Sequence, residues 1–207
     1  MAGDGFIVNG KLAFRFLANE HFSDLVNPLF PISESFPSIM SEFTQNQAHK
    51  ETERLLQLLD IKHGALNFDY HYDKHGNFSF LELGPRNGGN LIPEVVREAT
   101  GVDLVKYTVD SALGFDCSSL QMKPTYGYYS SYILHALKDG VLSKISYSYE
   151  IRKNIIQESI YVKPGDNVYK FNGSNHTLGM MIMKFNSQDE MLYKMDNMEQ
   201  CLKVFVK

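Results

Sequence analysis

The chain has 207 residues, enough for one full-sized domain, and its 43% apolar and 21% charged residues can bury a sizeable core, which excludes disorder. Lys and Arg number 20 and Asp and Glu 24, so the net charge of −4 gives no basic footprint for nucleic acid and no polybasic membrane patch. Two cysteines, Cys117 and Cys201, are too few and too far apart for a disulfide scaffold or a cysteine zinc site, and a reduced, cytoplasmic setting is the default.

No apolar run approaches the length of a membrane span, and the first residues lead straight into a turn-and-strand pattern in place of a signal peptide. Asn9-Gly10, flanked by strand-like residues 6–8 and 11–17, predicts a hairpin. The chain thus begins inside a sheet with almost no lead-in, as a truncated or excised segment does. Residues 19–41 read as an irregular segment, because Pro28, Pro31 and Pro37 break any helix; a loop of this length is often functional.

Residues 44–60 predict an amphipathic helix, with Ala48, Leu55, Leu56 and Leu59 on one face and Thr44 as N-cap. Two strands follow, 64–72 and 77–83, joined by Asp73-Lys74-His75-Gly76. A glycine-rich loop covers 84–90, and helices are expected over 93–99 and 102–113, split by Thr100-Gly101. In the last third, strands at 126–136 and 141–147 flank Lys138-Asp139-Gly140 and read as a second hairpin. Strands at 155–162 and 178–185, a helix over 188–200 and a strand over 202–206 complete an α+β chain.

The chemistry-bearing types gather on the central hairpin. A turn pairing Asp73 with Gly76 sets Asp69 opposite Phe80, and side chains alternate between faces. One face then carries Leu66, Phe68, Tyr70, Tyr72, Leu81 and Leu83. The other carries Asn67, Asp69, His71, Phe78, Phe80 and Glu82, with Asp69 and Glu82 diagonal neighbours roughly 7–8 Å apart. Facing carboxylates repel unless a cation or a proton relieves them, and magnesium at a nucleotide site is commonly held by one or two carboxylates with phosphates completing its shell. The glycines of 84–90 allow close backbone approach, and Arg86 can grip a phosphate or carboxylate through two bonds. Taken singly, Glu82 and Asp69 are ordinary solvated strand residues, His71 a packing or surface histidine and Gly88-Gly89 a turn. In combination they define an anionic-ligand site with a place for magnesium.

Leu81-Glu82-Leu83-Gly84-Pro85-Arg86 resembles the strand and loop written Glu-x-Asn-x-Arg in the ATP-grasp superfamily, as in biotin carboxylase and the carbamoyl-phosphate synthetase large chain. Gly64-Ala65-Leu66-Asn67-Phe68-Asp69 resembles the strand presenting that family's first metal ligand, and Ala99-Thr100-Gly101-Val102-Asp103-Leu104 a stretch that follows it. The resemblance implies the C-terminal ATP-grasp subdomain over residues 1–115, an antiparallel sheet with flanking helices, and a small β-rich extension over 116–207.

It further implies an ATP-dependent carboxylate–amine or carboxylate–thiol ligase working through an acyl phosphate. Asp69 and Glu82 would be ligands of Mg2+ or Mn2+, and Arg86 the catalytic contact to the transferring phosphate. His71 would pack on adenine, with Asn87 and Asn90 as further nucleotide contacts. Implied partners are ATP, a small carboxylate and an amine or thiol nucleophile, with a homodimer as a further expectation. The family's Asn is Gly84 here, which removes one oxygen ligand and opens the alternative of a non-catalytic binding or interaction module. The family's first subdomain, with its glycine-rich lid and lysines, has no counterpart in the sequence, so the isolated chain is expected to bind nucleotide weakly and turn over little. Arg15, Arg152 and His135 are further candidate substrate contacts.

Overall fold

The computed structural model describes residues 1–73 and 77–207; Lys74, His75 and Gly76 of the expected turn lie outside the described residues. The chain folds as two compact units, one of residues 1–19 and 36–126, the other of residues 20–35 and 127–207.

The first unit is built on β1 (Ala2–Val8), β2 (Lys11–His21, whose last two residues belong to the second unit), α1 (Glu42–Leu58), β4 (Gly64–Tyr72), β5 (Phe78–Gly84), α2 (Ile92–Thr100) and α3 (Leu104–Ala112). Its strands lie in the order β5-β4-β1-β2, antiparallel throughout. The β1–β2 turn at Asn9-Gly10 takes positive φ at both residues, as a tight hairpin turn requires. Helix α1 turns Thr44, Ala48, Thr52 and Leu56, one residue per turn, toward a core of Ile7, Leu12, Leu17, Leu66, Phe68 and Tyr70. Its N-cap is Ser41, not Thr44: the Ser41 hydroxyl accepts the Thr44 N–H at 3.2 Å. Buried Tyr70 reaches up to α1 with its hydroxyl 2.6 Å from Thr52 Oγ1. The opposite sheet face carries Phe6, whose ring lies 5.8 Å from that of Tyr107 on α3.

The β4–β5 register departs from a regular hairpin. Tyr70 pairs with Phe80 and Tyr72 with Phe78, but Asp69 pairs with Glu82, so Leu81 is an extra residue in β5. The bulge exchanges the expected faces. Phe78 and Phe80 stack against Tyr70 on the core side, at 4.8 and 5.1 Å, and do not join His71. Leu81 is pushed out to 69% exposure, although alternation assigned it to the core. Glu82 falls directly across from Asp69 instead of diagonally. Aromatic packing on Tyr70 outweighs the burial of one leucine.

The second unit contains β3 (Ser33–Phe36, its last residue in the first unit), β6 (Tyr128–Leu134), β7 (Gly140–Tyr147), α4 (Tyr149–Arg152), β8 (Ile155–Ile160), β9 (Asn167–Val168), β10 (Gly179–Phe185), α5 (Gln188–Asp196), α6 (Met198–Cys201) and β11 (Leu202–Val206). Strands run β3-β6-β10-β8, with a second sheet ordered β11-β7-β9. Strand β3 sits inside the segment read as irregular. Its small serines give no apolar alternation, yet Ser33 is buried and donates to the Ser131 carbonyl at 2.8 Å.

The second expected hairpin does not form, because β6 pairs with β10 while β7 pairs with β11 and β9. Lys138-Asp139-Gly140 therefore connects two sheets, and Asp139 is engaged by the Lys170 N–H at 2.7 Å. The expected helix over 188–200 is interrupted at Asn197, whose side chain donates to the Tyr193 carbonyl at 2.8 Å and ends α5. Methionines 181, 183, 191, 195 and 198 fill much of this unit's core. No helix among the described residues is long and apolar enough to cross a membrane.

Candidate functional site

The site is a face of the first unit's sheet. Alternation along β1 and β4, with Asp4 paired to Asn67 and Ala2 to Asp69, puts Asp4, Asn67 and Asp69 on one side. The bulge in β5 adds Glu82 to the same side, opposite Asp69. Directly opposed residues on antiparallel strands have Cα atoms about 4.5–5.5 Å apart, closer than the diagonal spacing expected from the sequence. The strand then turns into the loop that carries Arg86, Asn87 and Gly88.

A continuous hydrogen-bonded network fixes that loop. Asp4 is fully buried. One of its oxygens accepts the Gly88 N–H at 2.7 Å and the other accepts from the Asn67 amide at 2.9 Å. Asn67 Oδ1 in turn accepts from Arg86 Nη1 at 2.8 Å, and the same nitrogen donates to the Asn87 carbonyl at 3.2 Å. Arg86 Nη2 stands 3.6 Å from Glu82 Oε1. Burial lifts the Asp4 carboxyl to about 6. The Asn67 and Gly88 bonds and the Arg86 charge hold it down, while Asp69 pushes it up. Backbone packing is equally tight: a Cβ on Gly88 would stand 2.5 Å from Asp4 Oδ1.

Of the residues singled out from the sequence, Asp69, Glu82 and Arg86 come together. His71 lies two residues beyond Asp69 on the same face of β4 and is exposed. Asn87 turns toward α3, where its amide donates to Thr108 Oγ1 at 2.9 Å; its Oδ1 is buried without a partner among the described residues. Asn90, with Leu91, adopts left-handed backbone immediately before α2. Asp4 and Asn67 were missed as site residues. The available signal was a carboxylate in a strand otherwise made of Ala, Gly and large apolar residues, two positions from Phe6.

Among the described residues, no group of three or more His, Cys, Asp and Glu side chains is arranged to hold a metal. A pair of facing carboxylates suits magnesium, which takes one or two carboxylates and completes its octahedron with phosphate oxygens and water. Asp69 and Glu82 fit that donor set. Asp4 is sequestered by Gly88 and Asn67 and serves the loop.

The other candidates are engaged elsewhere. Arg15 donates to Asn46 Oδ1 at 3.2 Å, Arg152 pairs with Glu158 at 2.9 Å, and His135 is buried. In the second unit His21 lies between Asp196 (Nδ1 to Oδ1, 2.8 Å) and Ser35 (Nε2 to Oγ, 2.8 Å), the connectivity of a hydrolytic triad. Ser35 is completely buried, so its hydroxyl meets no substrate and the trio is a structural strut.

The architecture defines the class: an α+β chain with the ATP-grasp fold of biotin carboxylase-like ligases. Among particular structures, it is similar to phosphoribosylglycinamide synthetase from Anaerococcus prevotii, with TM-score 0.81 and 19% identity over 100% of this chain and 53% of that one. It is also similar to L-amino acid ligase from Bacillus licheniformis (0.83, 18%, 100% and 51%) and to the biotin carboxylase–β-γ-ATP complex from Campylobacter jejuni (0.70, 15%, 99% and 46%). The chain spans about half the length of these structures. At such identities the likeness is one of fold. No protein-family model matches the chain, and no curated protein matches it in sequence.

Proposed function

We propose that this chain supplies the magnesium- and phosphate-binding half of an ATP-dependent ligase that joins a carboxylate to an amine or thiol through an acyl phosphate, in the manner of carbamoyl-phosphate synthetase. The observation that carries this reading is the direct opposition of Asp69 and Glu82 across a bulge, with Arg86 fixed beside them. Residues 1–115 form the grasp portion in this reading and 116–207 the extension.

Asp69 and Glu82 would hold the metal, and His71 and Asn90 would line the nucleotide; Asn87, expected from the sequence as a further contact, is turned to Thr108 and would serve the loop instead. When bound there, magnesium would shield the phosphate oxygens and spread the charge of the transferring group. Arg86 presents a fork held by Asn67 and the Asn87 carbonyl, so its free edge meets a phosphate or acyl-phosphate oxygen without reorganising. Asp4 keeps the loop backbone closed on the sheet.

Titration of the full chain with Mn2+ and ADP, following free Mn2+ by electron paramagnetic resonance, tests the reading. Retention of Mn·ADP is expected, with Asp69→Asn and Glu82→Gln each weakening it by about tenfold or more while thermal melting is preserved. Equal retention by wild type and both variants would remove the two carboxylates from the site.

One observation favours a second reading, a non-catalytic module on the same scaffold. Gly84 leaves the position opposite Asn67 without a side-chain oxygen, and Asn67 itself is committed to Asp4 and Arg86. Mn·ADP retention together with no ADP formation from ATP by the intact protein, across carboxylic acids and amines, would select this reading.

A further inference from the structure

We propose that the second unit carries a binding site for a small uncharged phenol: a cleft of ≈ 370 Å³ with apolar walls for the ring and Tyr132 and His135 at its polar end for the hydroxyl. The volume suits a ligand of one or two rings. Ile32, Leu137, Leu202, Val204 and Phe205 contribute the walls. Leu137 and Phe205 are 47% and 41% exposed, so apolar surface is left uncovered along the cleft.

The polar end is specific in its hydrogen-bonding sense. Tyr132 and His135 are 4% and 8% exposed, and their rings lie 5.8 Å apart. His135 Nδ1 is 2.7 Å from the Ile133 carbonyl oxygen, which can only accept. Nδ1 therefore carries the proton, and Nε2 of the neutral ring is an acceptor. Burial lowers the His135 pKa and keeps the ring neutral. Burial, with the Glu199 charge, raises that of Tyr132, so its hydroxyl remains a donor. No protein group among the described residues bonds to His135 Nε2 or to the Tyr132 hydroxyl.

One donor and one acceptor, on two largely buried rings 5.8 Å apart, thus line an apolar cleft. A hydroxyl on a flat ring satisfies both, accepting from Tyr132 and donating to His135. A hydrocarbon satisfies neither. A carboxylate brings lone pairs against Nε2 and a second negative charge near Glu199, which also lines the cleft. Glu199 and Lys203 are exposed and of opposite sign, so they add no net attraction for an ion.

The full chain is titrated with 4-ethylphenol, ethylbenzene and 4-ethylbenzoate by saturation-transfer NMR and calorimetry. Saturable binding of 4-ethylphenol is expected, about tenfold or more tighter than either of the others. Leu137→Trp, at an exposed position, fills the cleft and should abolish binding with the melting temperature unchanged. His135→Phe should bring 4-ethylphenol and ethylbenzene to equal affinity; if that variant fails to fold, Leu137→Trp decides. Equal affinities for all three compounds in the wild type, no saturation at millimolar 4-ethylphenol, or undiminished binding in Leu137→Trp would each overturn the proposal.

Discussion

The Asp4 carboxylate accepts the backbone N–H of Gly88 at 2.7 Å across 84 residues of sequence, and it does so from a fully buried position in the strand next to β4. Strand β1 is thereby tied to the loop that follows β5, with Asn67 of the intervening β4 bridging Asp4 and Arg86. A side chain at residue 88 has no room, since its first carbon would lie 2.5 Å from one Asp4 oxygen and 2.9 Å from the other. Asp4 cannot swing away, because both its oxygens are engaged and its short side chain leaves a central strand. Gly88→Ala should therefore cost about 1–3 kcal/mol in urea denaturation, the range for overpacking a closed site. It should also weaken Mn·ADP retention. Gly89→Ala, where a Cβ meets nothing within 4 Å, is the control that should leave stability nearly unchanged.

The same carboxylate gives folding a defined pH dependence. Its folded pKa, about 6, lies above the ordinary aspartate value of 3.8, so folding takes up a proton between those values. Stability from this group is greatest below the unfolded pKa and declines as pH rises through the folded one; the full span is about 3 kcal/mol as an upper figure. Asp4→Asn has no such proton to lose. Measured by urea unfolding, its stability relative to wild type should rise between pH 4 and pH 7. A difference independent of pH would mean that Asp4 does not titrate in this window.

Much of the fold is written locally, and the site only in part. Asn9-Gly10 announces its turn by the one conformation such a turn allows, and the helix over residues 42–58 by its apolar spacing. That Asp69, Glu82 and Arg86 belong together is legible, because their types and spacing suggest one chemistry and the strands bring them to one place. Asp4 is not, since a lone acidic residue near the start of a strand reveals nothing until β4 and the loop close over it. The bulge at Leu81 is equally silent, because it goes with ring packing between the two strands, Tyr70 of β4 against Phe78 and Phe80 of β5. The pairing of β7 with β11 joins residues some sixty positions apart, whereas the turn signal at Lys138-Asp139-Gly140 speaks only for its neighbours.

Arg86 is a test of geometry against charge. Its guanidinium reaches Asn67 Oδ1, the Asn87 carbonyl and the vicinity of Glu82 with one rigid plane. A lysine keeps the positive charge but offers a single point of contact on a flexible stem. Arg86→Lys should leave the melting temperature almost unchanged, because the side chain is 54% exposed and such pairs contribute about 0–1 kcal/mol. It should nonetheless weaken Mn·ADP retention by about tenfold, the equivalent of one charge-assisted bond. Loss of stability without loss of retention would reverse the role assigned to this residue.

The bulged register makes a prediction that separates two neighbouring residues. In a regular hairpin Leu81 faces the core and Phe80 faces solvent; in this structure Phe80 stacks 5.1 Å from the Tyr70 ring and Leu81 is left outside. Leu81→Ser should therefore cost less than about 0.5 kcal/mol, as surface substitutions do. Phe80→Ser should cost about 2–3 kcal/mol, through lost apolar burial and lost ring contacts with Tyr70 and Phe78. Urea denaturation of the two variants reads the register directly. The reverse order of costs would restore the regular pairing, return Glu82 to a diagonal position and take away the opposed carboxylates on which the proposed metal site depends.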